Sequence, residues 1–507
     1  MVRRMLTSPA LWIGLLAIGL RLIPGPRIID DAYITFRYAQ NLLEGHGMVY
    51  NPGEAVLGTT TPVYTLLLAS SSVLTGRAGA ALPQTAVIVN ALADGLNCAL
   101  LVLLGRRLSW GLAGIFASLA WAIAPWSVTF AIGGMETSVF VACMLATFYF
   151  HSKEQPARAA LLGALSLLTR PDALLFLLPL VVERLRRSMP AGRWNPSPLP
   201  IRWREVLTGL LPLALWGAFG WASYGSPLPH TLAAKAVAYN LPPDAALVRL
   251  LQHFGTPFME QLALGPRWLL VGLLLYLALY LLGSMAVIRR TFTQWPMFVY
   301  PAAFFVAYAI ANPLLFRWYL APPLPVFILG IFIGVERLTR DLRRPRLAYA
   351  FAVPALLLML NGWTLHPDHG PARPAPRMAY TALEDLYQQV AAQLKPRIAD
   401  GEVLAAGDIG ALGFFTSARM LDTVGLITPA ASGYYPLPPE AYVINYAIPS
   451  ALILEQRPTW LVILEVYGRN TLLKEPDFLA AYELIESIPT DIYGSRGMLV
   501  YRANGAP

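Results

Sequence analysis

The stretch RIIDDAYITFRYAQNLLEGHGMVYNPGE, Arg27 to Glu54, sets two adjacent carboxylates, Asp30 and Asp31, where the first long apolar run of the chain ends. The pair stands out because only 13% of the 507 residues are charged while 56% are hydrophobic, and the mean hydropathy is +0.53. Such a composition excludes an ordinary soluble globular protein, and the apolar residues gather in runs of about 20, the length a helix needs to cross a bilayer. The chain reads as a polytopic α-helical membrane protein. Asp30 and Asp31 then mark the edge of the hydrocarbon rather than its interior.

The formal charge of +9 is spread over short loops and forms no single patch, which argues against nucleic acid as a partner. Basic loops lie on the cytoplasmic side of a membrane protein. Placing Arg3/Arg4, Arg106/Arg107, Lys153/Arg158, the Arg184 to Arg204 loop, Arg289/Arg290 and the Arg337 to Arg346 loop inside gives a consistent alternation of faces. The run Leu11 to Ile23 follows two arginines as a signal peptide would, but no small-residue cleavage site follows it, so it reads as a retained helix. Cys98 and Cys143 both fall within apolar runs and are expected to pack there. No His/Asp cluster has ligand spacing, so neither a metal nor another cofactor is expected.

The charge alternation decides two ambiguous segments. A single span over Ala159 to Val182 would carry ERLRRSMPAGR to the outside, so the run is expected to break at TRPD, where Pro171 disfavours helix at Arg170. For the same reason TPVYTLLLASSSVLTG is expected to lie at the outer face or re-enter rather than cross. About eleven spans result, near 10–24, 84–104, 110–131, 136–151, 158–169, 171–183, 206–223, 267–288, 295–311, 318–335 and 346–364. The expected organisation is a membrane domain over 1–364 with a first external loop at 24–60, a Pro-rich linker over 365–378, and an extracytoplasmic α/β domain over 379–507. In that last part EVLAAGD, ARMLDTVGL, TWLVILEV and GMLVYRA read as strands, and YTALEDLYQQVAAQL as a helix.

Within the first loop, Asp31 to Leu43 supports an amphipathic interfacial helix capped by Asp31 and ended by Gly45, with Tyr33 and Arg37 on one face. A cap and a solvated acid would account for the two carboxylates locally. The polar run GHGMVYNPGEAVLGTTTP beside them adds a second reading, a site where a lipid-borne substrate presents its head group.

Other outward-facing polar groups carry paired readings of the same kind. Glu136, in GGMETSVF, either complements a helix dipole or holds an acceptor hydroxyl. Arg170 and Asp172 flank Pro171 as a local ion pair or as substrate contacts. His230 and Lys235 occupy an external loop, where the lysine snorkels or binds phosphate. Arg317, with Tyr319, opens a span from outside and has a lipid phosphate as its natural partner. Asp408 in GDIG and Asp422 end probable strands and fix loop turns.

DDAYITFRYAQNLLEGHGMVYNPGE followed by GTTTPVYTLLL resembles the first external loop of membrane glycosyltransferases of the GT-C superfamily, especially the envelope arabinofuranosyltransferase and mannosyltransferase-like branch. GGMETSVF, LTRPDALLF, YGSPLPHTLAAKA, FRWYLAPPLP and GDIGALGFF…MLDTVGLITP continue the likeness in order along nearly the whole chain. The resemblance implies transfer of a sugar from a polyprenyl-phosphate donor to an envelope glycan, lipid or protein at the outer face of the plasma membrane. In family terms a first-loop acid is the base. Asp30 is favoured over Asp31, which is better placed to cap the helix. Arg317, Lys235, His230, Tyr319 and Arg170 are then expected on the donor phosphate, and Glu136, Tyr33, Arg37 and Asp172 on the acceptor. Direct displacement would invert the anomeric carbon. A lipid-linked sugar transporter or flippase would more often show repeated halves and acids within its spans, and no repeat is visible. A non-catalytic envelope scaffold whose tail binds glycan is the third class.

Overall fold

The computed structural model describes residues 8–76, 79–192, 198–367 and 369–505. Arg3, Arg4, residues 193–197 of the Arg184 to Arg204 loop and Asp368 of the linker lie outside the described residues. Contacts divide the chain into two compact units. The first comprises Met1–Arg27, Pro83–Leu215 and Asp244–Tyr380; the second comprises Ile28–Leu82, Trp216–Pro243 and Thr381–Pro507. The first loop thus groups with the tail, which the linear division of the sequence does not anticipate.

The first unit is helical. Among the described residues four helices are long and apolar enough to cross a membrane: Leu82–Arg107, Trp203–Tyr224, Trp268–Ile288 and Phe292–Ala311. A fifth candidate, expected as one span over 110–131, is instead a pair, Gly111–Ile123 and Pro125–Ile132, bent by 51°. The cause is Pro125, which lacks an N–H and holds Ala124 extended at φ −60°, ψ 126°. The break at TRPD has the same origin, with Arg170 extended at φ −153°, ψ 131° between Pro156–Thr169 and Leu174–Ser188. Thr137–Ser152 and Leu347–Leu360 are shorter apolar helices. The span placed at 318–335 begins later, at Leu324, because Arg317–Leu320 forms a 3₁₀ turn ahead of Pro322 and Pro323.

Two features hold this unit together. Helices Trp268–Ile288 and Leu324–Asp341 meet backbone to backbone: a Cβ on Gly283 would lie 2.1 Å from the Gly330 carbonyl oxygen, so only glycine permits the approach. Arg21 and Asp94 form a fully buried ion pair at 2.8 Å. Asp94 also accepts from Trp121 Nε1 at 2.8 Å and Ser138 Oγ at 3.0 Å, while Arg21 donates to Ser127 Oγ at 2.8 Å. Charges so thoroughly paired join five helices and leave little for a ligand to claim. Cys98 is buried beside Ser118, Cys143 is half-buried, and both are free thiols. A short antiparallel pair, β1 (Trp363–Thr364) and β2 (Ala375–Pro376), closes the unit.

The second unit is built on a five-stranded sheet of β3 (Val403–Ala406), β4 (Arg419–Asp422), β5 (Trp460–Leu464), β6 (Tyr482–Ile488) and β7 (Met498–Ala503), in the order β4-β3-β5-β7-β6. β4, β3 and β5 are parallel, and β7 and β6 are antiparallel additions. The apolar run WLVIL of β5 is buried throughout, as a central strand requires. β3 lies between β4 and β5, so the chain leaves it first to one side and later returns to the other. That arrangement makes the carboxyl ends of β3 and β5 a topological switch point, the place where open α/β sheets receive ligands.

Candidate active site

The helix Asp30–Leu43 delivers the two acids to that switch point. It starts one residue earlier than the sequence reading placed it, with extended Ile29 as N-cap and no side-chain cap. The expected capping role of Asp31 is therefore corrected. Asp30 instead accepts the Gly410 N–H on Oδ2 at 3.0 Å and the Ala411 N–H on Oδ1 at 2.8 Å. These are the first N–H groups of the helix Gly410–Thr416, whose positive end suits a carboxylate. The approach is tight: a Cβ on Gly410 would lie 1.9 Å from the Asp30 carbonyl oxygen.

Three further groups close on the pair. Asp31 lies 3.5 Å from Lys235 Nζ, and both side chains are partly open to solvent. Asp408, in the turn after β3, accepts from Tyr387 Oη at 2.6 Å and from Tyr467 Oη, in the turn after β5, at 3.3 Å. Glu384, in the first turn of the helix Ala382–Leu394, is placed to accept the Asp30 backbone N–H. Four carboxylates thus surround one helix start, with Lys235 as the cation beside Asp31.

Burial pushes the Asp30 carboxyl well above the usual carboxylate range. The charges of Asp408 and Asp31 push the same way, and the N–H groups of Ala411 and Gly410 oppose them. Asp408 is likewise raised, first by burial, then by the charge of Asp31, against its hydrogen bonds to Tyr387 and Tyr467. Burial carries Glu384 up to about 7. Chemically, this is a desolvated carboxylate with high proton affinity next to one held in an ion pair, the setting a general base requires.

The helix faces inward with Tyr33 and Arg37. Tyr33 is buried among Phe36, Phe414 and Phe415, with its hydroxyl 3.4 Å from Gln388 Nε2. Arg37 donates to the Tyr50 carbonyl at 3.4 Å and the Ser417 carbonyl at 3.0 Å. Both side chains fix the helix to the tail, and their expected place on an acceptor finds no support in this geometry. His230 precedes the helix Thr231–Ala238 and binds the Leu57 carbonyl through its backbone N–H at 2.9 Å. Its ring lines a groove of about 380 Å³ with Tyr224, Leu228 and Leu232, and its Nε2 is buried without a hydrogen-bond partner among the described residues. Asp422 accepts from Val424 N–H at 2.8 Å and Ile427 N–H at 2.9 Å, which is the turn-fixing role read from sequence.

The remaining candidates form a cluster within the first unit. Arg170 grips Asp172 through two bonds, at 3.0 and 2.9 Å, and reaches Glu136 at 2.8 Å. Tyr308 donates to Asp172 at 3.1 Å, and the guanidinium lies over the Tyr319 ring at 5.2 Å. With its donors committed to two acids, Arg170 acts as a clamp between Glu136 and Asp172. Two carboxylates against one guanidinium leave the cluster net negative and suited to hydroxyl donors. Arg317 is exposed, and its guanidinium makes no ion pair among the described residues.

Sequence reading missed Glu384, Tyr387 and Tyr467. Thr381-x-x-Glu384 has the spacing of a capping box, but Thr381 makes no cap bond and Glu384 serves the start of a different helix.

Residues 378–501 match the model of a domain of unknown function, DUF8728. No curated protein matches the chain. Among solved structures, the oligosaccharyltransferase of Archaeoglobus fulgidus, in its complex with zinc and sulfate, is 12% identical at a TM-score of 0.59, over 98% of this chain and 73% of that one. ArnT from Cupriavidus metallidurans, bound to undecaprenyl phosphate, is also 12% identical at 0.59, over 97% of each chain. The chain therefore shares its overall fold with these two proteins. Identity this low speaks to architecture, and the chemistry rests on the residues of the site.

Proposed function

We propose that the protein is a membrane glycosyltransferase that moves a sugar from a polyprenyl-phosphate donor to a hydroxyl of an envelope glycan, lipid or protein, with Asp30 as base. The observation that carries this reading is the desolvated Asp30 carboxylate, held at a helix start beside the Asp31–Lys235 pair. Of the two acids, Asp31 is compensated by a cation while Asp30 is surrounded by other carboxylates, so Asp30 binds a proton more readily. As the acceptor oxygen bonds to the anomeric carbon, its proton passes to Asp30. The bond from that carbon to the phosphate oxygen breaks, and the lipid phosphate leaves with the electron pair. A single displacement of this kind inverts the carbon. Lys235 and Arg317 are the cations assigned to the phosphate, and the Glu136–Asp172 cluster is assigned to sugar or acceptor hydroxyls.

The neighbours support the class of donor: ArnT is bound to undecaprenyl phosphate, and one structure of the archaeal enzyme holds dolichol phosphate with an inhibitory peptide. With the basic loops on the cytoplasmic side, as the charge alternation of the sequence suggests, the first loop and the tail are assigned to the outer face of the plasma membrane. Their membership in one compact unit supports a common side. The test is incubation of the purified protein in detergent with a panel of polyprenyl-phosphate sugars and hydroxyl acceptors, scoring released lipid phosphate. Release from one donor, dependent on Asp30, is expected; no release from any donor overturns the reading.

A further inference from the structure

The turn Gly407–Gly410 does two things at once. Its far end supplies the N–H groups of Gly410 and Ala411 that grip Asp30, and its middle carries Asp408. Asp408 is not left to solvent as a turn acid would be. Tyr387 and Tyr467 hold its carboxylate from two different elements, at 2.6 and 3.3 Å, and both donate, so the hydrogen bonds favour the charged form. Tyrosine donors on a carboxylate that only fixed a loop would be superfluous, because backbone N–H groups alone hold the side chain of the acid that ends β4, Asp422.

We propose that Asp408 is a positioning residue of the transfer reaction: held by two tyrosines at the switch point of the sheet, its carboxylate makes Asp30 a stronger base. The proposal rests on the reading of Asp30 as that base. The groups that face Asp408 are Tyr387 and Glu384 from Ala382–Leu394, Tyr467 after β5, Tyr239 after Thr231–Ala238, and Asp30 and Asp31 from the first-loop helix. Lys235 meets this set at Asp31, while Asp408 sits two and three residues before Gly410 and Ala411, whose N–H groups hold Asp30. Two carboxylates so placed compete for one proton, and the acceptor's proton is the one Asp30 is then ready to take.

Asp408→Asn keeps an oxygen for Tyr387 and removes the charge. In the pH profile of kcat/KM for sugar transfer, the limb that rises from acid pH should move to lower pH by about one unit, a tenfold loss of proton affinity. Tyr387→Phe, which leaves Asp408 more readily protonated, should move it the same way by less. An acid limb unmoved in Asp408→Asn, in protein with wild-type melting temperature, overturns the proposal. A second readout does not need turnover: infrared titration of the carboxyl band that Asp30→Asn deletes. Its midpoint should fall in Asp408→Asn, and an unchanged midpoint is equally fatal. Wild-type protein inactive on every donor sinks the transferase reading, whereas the infrared midpoint still decides whether Asp408 tunes Asp30.

Discussion

Asp30→Asn is the most informative single change, because it alters proton transfer and packing by separable amounts. The amide oxygen can accept one of the two N–H groups that Asp30 now holds, from Gly410 at 3.0 Å or Ala411 at 2.8 Å; the amide NH₂ then faces the other donor. One charge-assisted bond is lost and one buried N–H is left unmatched, together costing roughly 2–4 kcal/mol. Relief of repulsion from Asp408 and Asp31 offsets part of this, leaving a net loss of about 1–3 kcal/mol. Loss of a general base lowers turnover by roughly 10²-fold or more, equivalent to about 2.7 kcal/mol of barrier. The assay compares Asp30→Asn with Asp31→Asn in one detergent: thermal unfolding for the first quantity, and turnover per folded molecule on a polyprenyl-phosphate sugar for the second. Asp31→Asn should barely change unfolding, since Asp31 is partly solvated, and should cost less turnover. Asp30→Asn that unfolds earlier yet turns over normally per folded molecule would make Asp30 a purely structural anchor and refute the assignment.

Glu384→Gln tests the electrostatics through stability. A folded-state value of about 7 means that the native protein holds the proton more tightly than the unfolded chain between about 4.5 and 7, so wild-type stability falls as pH rises through that window. The glutamine variant lacks this penalty; it should match wild type near pH 4 and exceed it by roughly 1–3 kcal/mol above pH 7, read from melting temperatures across pH. Arg317→Ala should raise the apparent KM for donor while leaving that for acceptor nearly unchanged, with lysine rescuing only partly; an unaltered donor KM makes Arg317 an anchor. For topology, a cysteine placed at Asp400 should react with an impermeant reagent on intact cells and one placed at Arg344 should not, and the opposite pattern would invert the membrane arrangement.

Local signals in the sequence were legible where one residue type dominates the physics. Pro171 announces the break at Arg170, and two charges at the end of an apolar run announce the first loop, because each is costly anywhere else. What stayed hidden depends on partners far along the chain. Arg170 looked like a neighbour-pair with Asp172, but its second acid, Glu136, lies 34 residues away. Asp31 looked like a cap because the sequence holds no hint that Ile29 would occupy that position without a side-chain bond. The grip on Asp30 comes from residues 380 and 381 positions downstream, through backbone N–H groups that no side-chain pattern announces. GDIG was visible as a turn; its meaning came only with the order of the strands around it.

The distance between Asp30 and the groups that hold it also sets a schedule. Asp30 is made near the beginning of synthesis, and Gly410 follows 380 residues later, roughly 20–80 s at ordinary elongation rates. Until the tail has emerged and formed its sheet, the first loop has no helix start to seat its carboxylate and no Asp408 beside it. A half-made chain already inserted in the membrane would therefore lack the seat of Asp30, and a product truncated before residue 410 would stay without it however well its apolar helices assembled. The tail acts as a certificate of completion: the seat of Asp30 exists only in molecules whose synthesis has passed Ala411.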